Sequence, residues 1–174
     1  MALELKIKQD IAAIDRHLFK TQTKTIKRAA TSAINKVLIK VKTTASKEIR
    51  EKASFKASEI NKVFRVRRAT WSRMTASITA PGYAPNLIRY KAVQTKKGVK
   101  ASPMKKRHEF KGAFIANRGR TVFVRRGKER LPVKAVYGPS LKREFTRQVI
   151  KKAMDRRGEK EWSKEFDNQL KRLL

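Results

Sequence analysis

The sequence predicts an α+β protein with long N-terminal helices, a central antiparallel β-sheet or meander, and C-terminal helices. Residues 112–140 contain three short apolar runs separated by basic turns that carry glycine. Apolar residues on either side of the central part recur every three or four positions, which is the spacing of a helix face. All five prolines and six of the seven glycines lie between residues 74 and 140. We therefore expect one domain over 1–174, with a helical part at 1–73, a basic β-rich part at 74–140 and C-terminal helices at 141–174.

The meander is predicted from β-branched and aromatic residues bounded by turn residues. Its three strands are expected at Ala113–Ala116, Thr121–Arg126 and Leu131–Tyr137. The turns between them are expected at Asn117–Arg120 and Gly127–Arg130, where glycine and asparagine favour chain reversal. Alternate residues of a strand lie on opposite faces, so the basic residues at the strand tip fall on both faces of the sheet.

Three further strands are predicted before the meander. Met74–Ala80 alternates in polarity, and Leu87–Val93 and Val99–Ala101 flank a basic turn that contains Gly98. Pro103 follows closely and has no N–H to donate to a strand partner, which limits the length of the last of these strands.

Helices are expected in both terminal parts of the chain. The first apolar stripe consists of Ile7, Ile11, Ile14, Leu18 and Phe19. A break is expected at Thr21–Thr23, followed by a long helix from about Lys24 to Glu51 and a short one over Ser54–Phe64.

The C-terminal part is predicted to form two helices. Ser140 is expected to cap a helix that ends near Gly158. Trp162, Phe166 and Leu170 mark the apolar side of the last helix, which also includes Leu173 and Leu174. This side is interpreted as a packing or subunit-contact surface.

The charge predicts an acidic partner. The chain has 46 Lys and Arg against 14 Asp and Glu, a formal net charge of +32. A field of this size favours binding to nucleic acid or another polyanion. The candidate contact residues are Lys96, Lys97, Lys105, Lys106, Arg107, Arg118, Arg120, Arg125, Arg126, Lys128 and Arg130. No helix-turn-helix, zinc finger or aromatic RNA-binding motif is recognisable, so contact independent of base sequence is favoured.

Motifs for catalysis are missing from the sequence. Cysteine is absent, and His17 and His108 have no partners at metal-ligand spacing. The basic middle part contains only Glu109 and Glu129 as carboxylates, which is too few to hold the cations of a metal nuclease. No apolar run approaches the roughly 20 residues that span a bilayer. We therefore expect a non-enzymatic protein without cofactor, metal or membrane contact, made in the cytoplasm.

The central block resembles a known family. Gly112–Ala116, Thr121–Arg126, Arg130–Lys134 and Tyr137–Ser140 together look like the phage minor tail protein Z family, and Ala29–Lys36 resembles the early alanine-rich helix of that family. The central block is specific in combination, whereas the helical parts alone are not.

This resemblance implies a structural tail completion or neck protein at the head-proximal end of a long, non-contractile phage tail. It also implies other tail and neck proteins as partners, a location in the virion, and a homo-oligomeric ring with a hexamer of roughly six copies as the expected form. The family offers no catalytic residues to transfer. A ring beside the DNA channel would let the basic loops contact genomic DNA or an acidic neighbour, which is our hypothesis.

Other classes of protein remain open. A ribosomal or other RNA-binding structural protein shares the high Lys and Arg content and the absence of cysteine. A nuclease or DNA-processing enzyme is disfavoured by the missing carboxylate cluster. Within a phage, a tail terminator or a head–tail joining protein would look similar in sequence.

Overall fold

The computed structural model describes the backbone of residues 2–173 and the side chains of residues 23–173. The helices are α1 (Ala2–Lys52), α2 (Ala57–Val63), α3 (Leu141–Phe145) and α4 (Gln148–Lys171), with a 3-10 helix at Leu87–Tyr90. The strands are β1 (Arg65–Arg67), β2 (Ser77–Thr79), β3 (Val93–Thr95), β4 (Gly98–Ala101), β5 (His108–Lys111), β6 (Ala113–Ala116), β7 (Thr121–Arg125) and β8 (Val133–Ala135). The predicted α+β class is confirmed.

The N-terminal helix is continuous, so the predicted break at Thr21–Thr23 is wrong. Helix α1 runs for 51 residues without interruption. Threonine and glutamine lower helix propensity only slightly, and the segment contains no proline or glycine that would end a helix. The predicted stripe from Ile7 to Phe19 lies outside the residues whose side chains are described.

The buried face of α1 is rich in alanine. Ala29, Ala33 and Ala45 have no exposed surface, and Ile49 is fully buried one turn further along. Ile26 is 49% exposed, although its spacing from Ala30 and Ala33 is that of one helix face. Small residues allow other segments to approach the helix closely.

The strands form three small antiparallel sheets in the described residues. β1 pairs with β2, β4 lies between β3 and β5, and β7 lies between β6 and β8. In the last sheet Ala113 faces Val124, and Arg125 faces Val133. The predicted meander is therefore present, with its third strand shorter than expected. β1 and β5 had not been predicted, and β2 covers only part of Met74–Ala80.

The predicted strand at Leu87–Val93 is wrong in its first half. Leu87–Tyr90 forms a 3-10 helix, and only the last position begins β3. The Asn86 side chain accepts a hydrogen bond from the Ile88 N–H at 3.1 Å and another from the Val122 N–H at 3.0 Å. Such a bond to the local backbone competes with a strand ladder and starts a turn instead.

The predicted end of a helix near Gly158 is also wrong. The interruption lies at Thr146–Arg147, between α3 and α4, and Gly158 is inside α4. The Thr146 hydroxyl donates to carbonyls of the preceding turn at 3.0 and 3.1 Å, which satisfies the end of α3. Glycine within a helix costs only about 1 kcal/mol relative to alanine, and a long helix tolerates this cost. Ser140 occupies the predicted N-cap position, without a capping bond from its side chain.

The chain divides into two compact units, while the single-domain prediction for 1–174 stays a prediction. One unit comprises Met1–Lys40, Arg67–Ser77 and Arg157–Leu174, and the other comprises Val41–Val66 and Ile78–Arg156. The second unit contains two apolar clusters. One includes Ala45, Ile49, Ala53, Phe55, Ile60, Phe64, Ala80, Leu141 and Ile150, and the other includes Leu87, Tyr90, Val99, Ala101, Ala113 and Val122.

Candidate polyanion-binding surface

All the basic residues predicted to contact a polyanion are exposed. They lie on three turns and one loop of the second unit. Lys96 and Lys97 join β3 to β4, and Lys105, Lys106 and Arg107 lie between β4 and β5. Arg118 and Arg120 are in the turn after β6, whereas Arg125, Arg126, Lys128 and Arg130 end β7 and continue into the turn after it.

The register of the meander separates the arginines that are clustered in the sequence. Ala116 faces Thr121, so the turn with Arg118 and Arg120 closes one end of the sheet. Arg125 faces Val133 at the opposite end. A strand rises about 3.3 Å per residue, which puts the two basic turns roughly 15 Å apart along the five residues of β7.

The lysine turn between β3 and β4 lies at the same end as Arg125. Gly112 connects β5 directly to β6, and its N–H donates to the Lys97 carbonyl at 3.2 Å. We call this region the Gly112 end, and its basic residues are Lys96, Lys97, Arg125, Arg126, Lys128 and Arg130. The loop with Lys105 is at the far end of the β4–β5 hairpin, because Ala101 faces His108.

Aromatic rings accompany the cations on one face of the meander. Phe114 and Phe123 are opposite each other on β6 and β7, with ring centroids 6.2 Å apart. The Arg125 guanidinium lies over the Phe114 ring, 5.5 Å from its centroid. Phe114 was missed as a candidate, although alternation along Thr121–Arg126 puts Phe123 and Arg125 on one face of the strand. A cation held over a ring is oriented without losing its charge.

The apolar side of α4 is partly exposed in this chain. Trp162 is 39% exposed and stacks on Phe166, with centroids 5.6 Å apart and an interplanar angle of 18°. Phe166 and Leu170 are half-buried. The subunit-contact interpretation of these three residues stays a prediction.

Polar residues form the buried side of the same helix. Glu161, Glu165 and Gln169 recur every four residues and are 7%, 8% and 7% exposed. The Lys40 ammonium of α1 donates to Glu161 Oε2 and to Glu165 Oε1, each at 2.5 Å, and the Ser32 hydroxyl donates to Gln169 at 2.8 Å. A charged, hydrogen-bonded seam therefore joins the two helices within the first unit.

The seam shifts the pKa values of its members in opposite directions. Hydrogen bonds to Glu161 and Glu165 raise the pKa of Lys40 above its ordinary 10.5. The hydrogen bond from Lys40 lowers the pKa of Glu161 and that of Glu165 below the ordinary 4.5. The carboxylates stabilise the fold above pH 4.5 and lose this contribution as the pH falls through their lowered pKa values. The lysine contribution is present below pH 10.5 and is lost as the pH rises through its raised pKa.

Lys40→Gln should therefore make stability depend less on pH. At pH 7 the variant should unfold at lower temperature than the wild type, because Glu161 and Glu165 lose the cation that they share, while Arg157 remains 3.1 Å from Glu161. The difference should shrink as the pH falls below about 4.5 and through the lowered pKa values of the two carboxylates. Thermal unfolding between pH 3 and 7 measures it, with Lys36→Gln as control because Lys36 lies 4.0 Å from Glu165. A difference that stays constant over this range would contradict the assigned role.

Within the described residues, no three His, Asp or Glu side chains are grouped as metal ligands. Among residues 2–173, no helix combines the length and apolar character needed to cross a membrane.

The comparisons with known proteins identify the family. The model of the family described as prophage minor tail protein Z (GPZ) matches residues 8–174, which is nearly the whole chain. No curated protein and no solved structure matches the chain. An α+β chain with this match is a structural protein of the phage tail class. The chain belongs to the prophage minor tail protein Z family, as its central block had indicated, and this membership implies other tail proteins as partners and a location in the virion tail.

Proposed function

We propose that this protein completes the tail at its head-proximal end, where copies assemble into a ring whose basic loops contact genomic DNA or acidic tail proteins. The observation that carries the proposal is the placement of eleven basic side chains on exposed turns of a phage tail protein. Residues 74–140 contain 16 Lys and Arg against Glu109 and Glu129, a balance of +14. A surface of this charge attracts phosphates without reading base sequence.

A ring explains how one small protein forms a basic boundary around a channel. Copies related by rotation each present the same turns, so the charge of one chain is repeated around the axis. The partly exposed pair of Trp162 and Phe166 is the apolar surface that we assign to contact between copies or with a tail neighbour. Membership of a tail structural family also supports a non-catalytic role.

Counting copies in particles tests the assignment. Quantitative mass spectrometry of purified virions and of separated tails should find roughly six copies per tail relative to the major tail protein, and none on host ribosomes. Enrichment on ribosomes would favour the RNA-binding alternative. Absence from tails would overturn the proposed role in tail completion.

A further inference from the structure

A basic pocket lies apart from the turns of the meander. It is lined by Ser54, Lys56, Glu59, Arg89, Tyr90, Lys91, Ser102 and Lys105, all within the second unit, and its volume is ≈ 570 Å³. Four of the lining residues are cations and one is a carboxylate, so the local charge is +3. This volume is typical of small-ligand sites, which distinguishes the pocket from a flat basic surface.

Backbone contacts hold the two lysines of the rim in place. Lys91 and Lys105 have positive φ angles of 54° and 66°, a conformation that non-glycine residues seldom adopt. The Lys105 N–H donates to Ser54 Oγ at 3.2 Å, and the Ser102 N–H donates to the Tyr90 carbonyl at 2.9 Å. The fold thus keeps both lysines at the rim despite the cost of their backbone conformation.

Tyr90 lines the pocket and is tightly packed against its neighbours. Tyr90 is 3% exposed and meets the Phe55 ring edge-on, with centroids 6.2 Å apart. A Cβ at Gly138 would lie only 2.1 Å from the Tyr90 ring, so glycine at this position lets the chain approach the ring closely. Burial raises the pKa of the Tyr90 phenol, which keeps this group neutral near pH 7.

Only one cation of the pocket is neutralised by the carboxylate. The Arg89 guanidinium pairs with Glu59 Oε1. Lys56, Lys91 and Lys105 are exposed at the pocket, and among residues 23–173 none of the three forms an ion pair with a carboxylate. Ammonium groups bind phosphate as point charges, and the Ser54 hydroxyl adds a donor at the same site.

We propose that this pocket binds a phosphate group, either free or carried by a nucleic acid strand. A compact anion with several acceptor oxygens matches a concave site lined by three lysines without a carboxylate partner and by a serine hydroxyl. The pocket is separate from the Gly112 end and shares only Lys105 with the eleven candidate contact residues, and the proposal does not depend on where the protein lies in the tail.

The test measures binding of inorganic phosphate to the full chain by calorimetry, at fixed ionic strength in chloride. Lys91→Gln combined with Lys105→Gln should weaken phosphate binding at least about tenfold, because two charge-assisted contacts are lost. The control combines Lys151→Gln with Lys152→Gln, two exposed lysines of α4, and should change binding by less than about twofold. Equal losses in the two variants, or no binding by the wild type, would overturn the proposal.

A substitution that is expected to increase phosphate affinity provides a second test, because misfolding could explain weaker binding but not tighter binding. Glu59→Gln removes the only carboxylate of the pocket and frees Arg89, so phosphate should bind severalfold more tightly. Unchanged or weaker binding with a normal unfolding temperature would contradict the assignment.

Competition identifies the source of the phosphate. A single-stranded oligonucleotide that displaces phosphate in the wild type identifies nucleic acid as the ligand, and failure to displace it identifies free phosphate. Displacement by polyglutamate at equal charge concentration would instead assign the pocket to an acidic protein and overturn the proposal. If phosphate does not bind but tails contain about six copies, the phosphate site is rejected and the proposed function stands. If phosphate binds but tails lack the protein, the phosphate site stands and the proposed function is rejected.

Discussion

Gly98→Ala should destabilise the second unit by about 3–5 kcal/mol, because two costs are added at one position. Gly98 has φ of +154°, which L side chains rarely adopt, and an added Cβ would lie 2.2 Å from the Phe110 carbonyl oxygen. This obstacle is backbone of the neighbouring strand β5, since Gly98 faces Lys111 in the ladder, and it cannot rotate away. Denaturant unfolding followed by circular dichroism measures the change in the free energy of unfolding.

Substitutions at two other glycines distinguish the cost of the positive φ angle from the cost of the close approach to Phe110. Gly112 has φ of +68° and no atom within 4 Å of an added Cβ, so Gly112→Ala should cost only about 1–2 kcal/mol. Gly82 has neither a positive φ nor a close neighbour, and Gly82→Ala should be nearly neutral. Similar losses at all three positions would show that close approach to Phe110 is not what requires glycine at 98.

Removing the cations of the turn after β7 should reduce the salt dependence of DNA binding. Arg125, Arg126, Lys128 and Arg130 lie at the Gly112 end beside Lys96 and Lys97. If all four contact phosphates, replacing them by alanine lowers the slope of log affinity against log salt by about 3.6 for duplex DNA. Titrations of a labelled duplex at several salt concentrations measure this slope.

The turn with Arg118 and Arg120, at the opposite end of the meander, provides a matched control for these substitutions. If the DNA contact is confined to the Gly112 end, Arg118→Ala with Arg120→Ala should change the slope by less than about 1, whereas two phosphate contacts at this turn would change it by about 1.8. Replacing Lys151, Lys152, Arg156 and Lys160 on α4 removes four exposed charges elsewhere and controls for net charge. A larger decrease in the slope from the Arg118 and Arg120 substitutions would place the DNA contact at that end of the meander. If neither set of substitutions changes the slope, the meander does not contact DNA.

Local sequence patterns were sufficient to predict much of the structure of residues 112–140. β6, β7 and the turn at Asn117–Arg120 lie where β-branched residues and turn residues placed them, because hairpins depend on neighbours in sequence. Val122 is buried and Arg125 is exposed, as alternation along a strand requires. β5 was not predicted because His108–Lys111 is polar and forms its ladder with β4 alone.

The helical parts show what a pattern of apolar residues does not reveal. The side of α4 with Trp162 had been interpreted as a packing or subunit surface, whereas the side buried in this chain carries Glu161, Glu165 and Gln169. A carboxylate can be buried when a cation reaches it, and Lys40 comes from a helix more than a hundred residues earlier. No feature of the sequence around Glu161 and Glu165 indicates such a partner.

The amino-acid sequence by itself determined the α+β class, the basic turns and the family, because these depend on composition, short-range periodicity and one specific block of residues. Only the tertiary structure decided that the basic turns divide between two ends of a sheet, and that Lys56, Lys91 and Lys105 line one pocket. Strand register and the packing of segments that are distant in sequence determine which of these residues lie together. Charges far apart in sequence become one site only when the backbone between them folds.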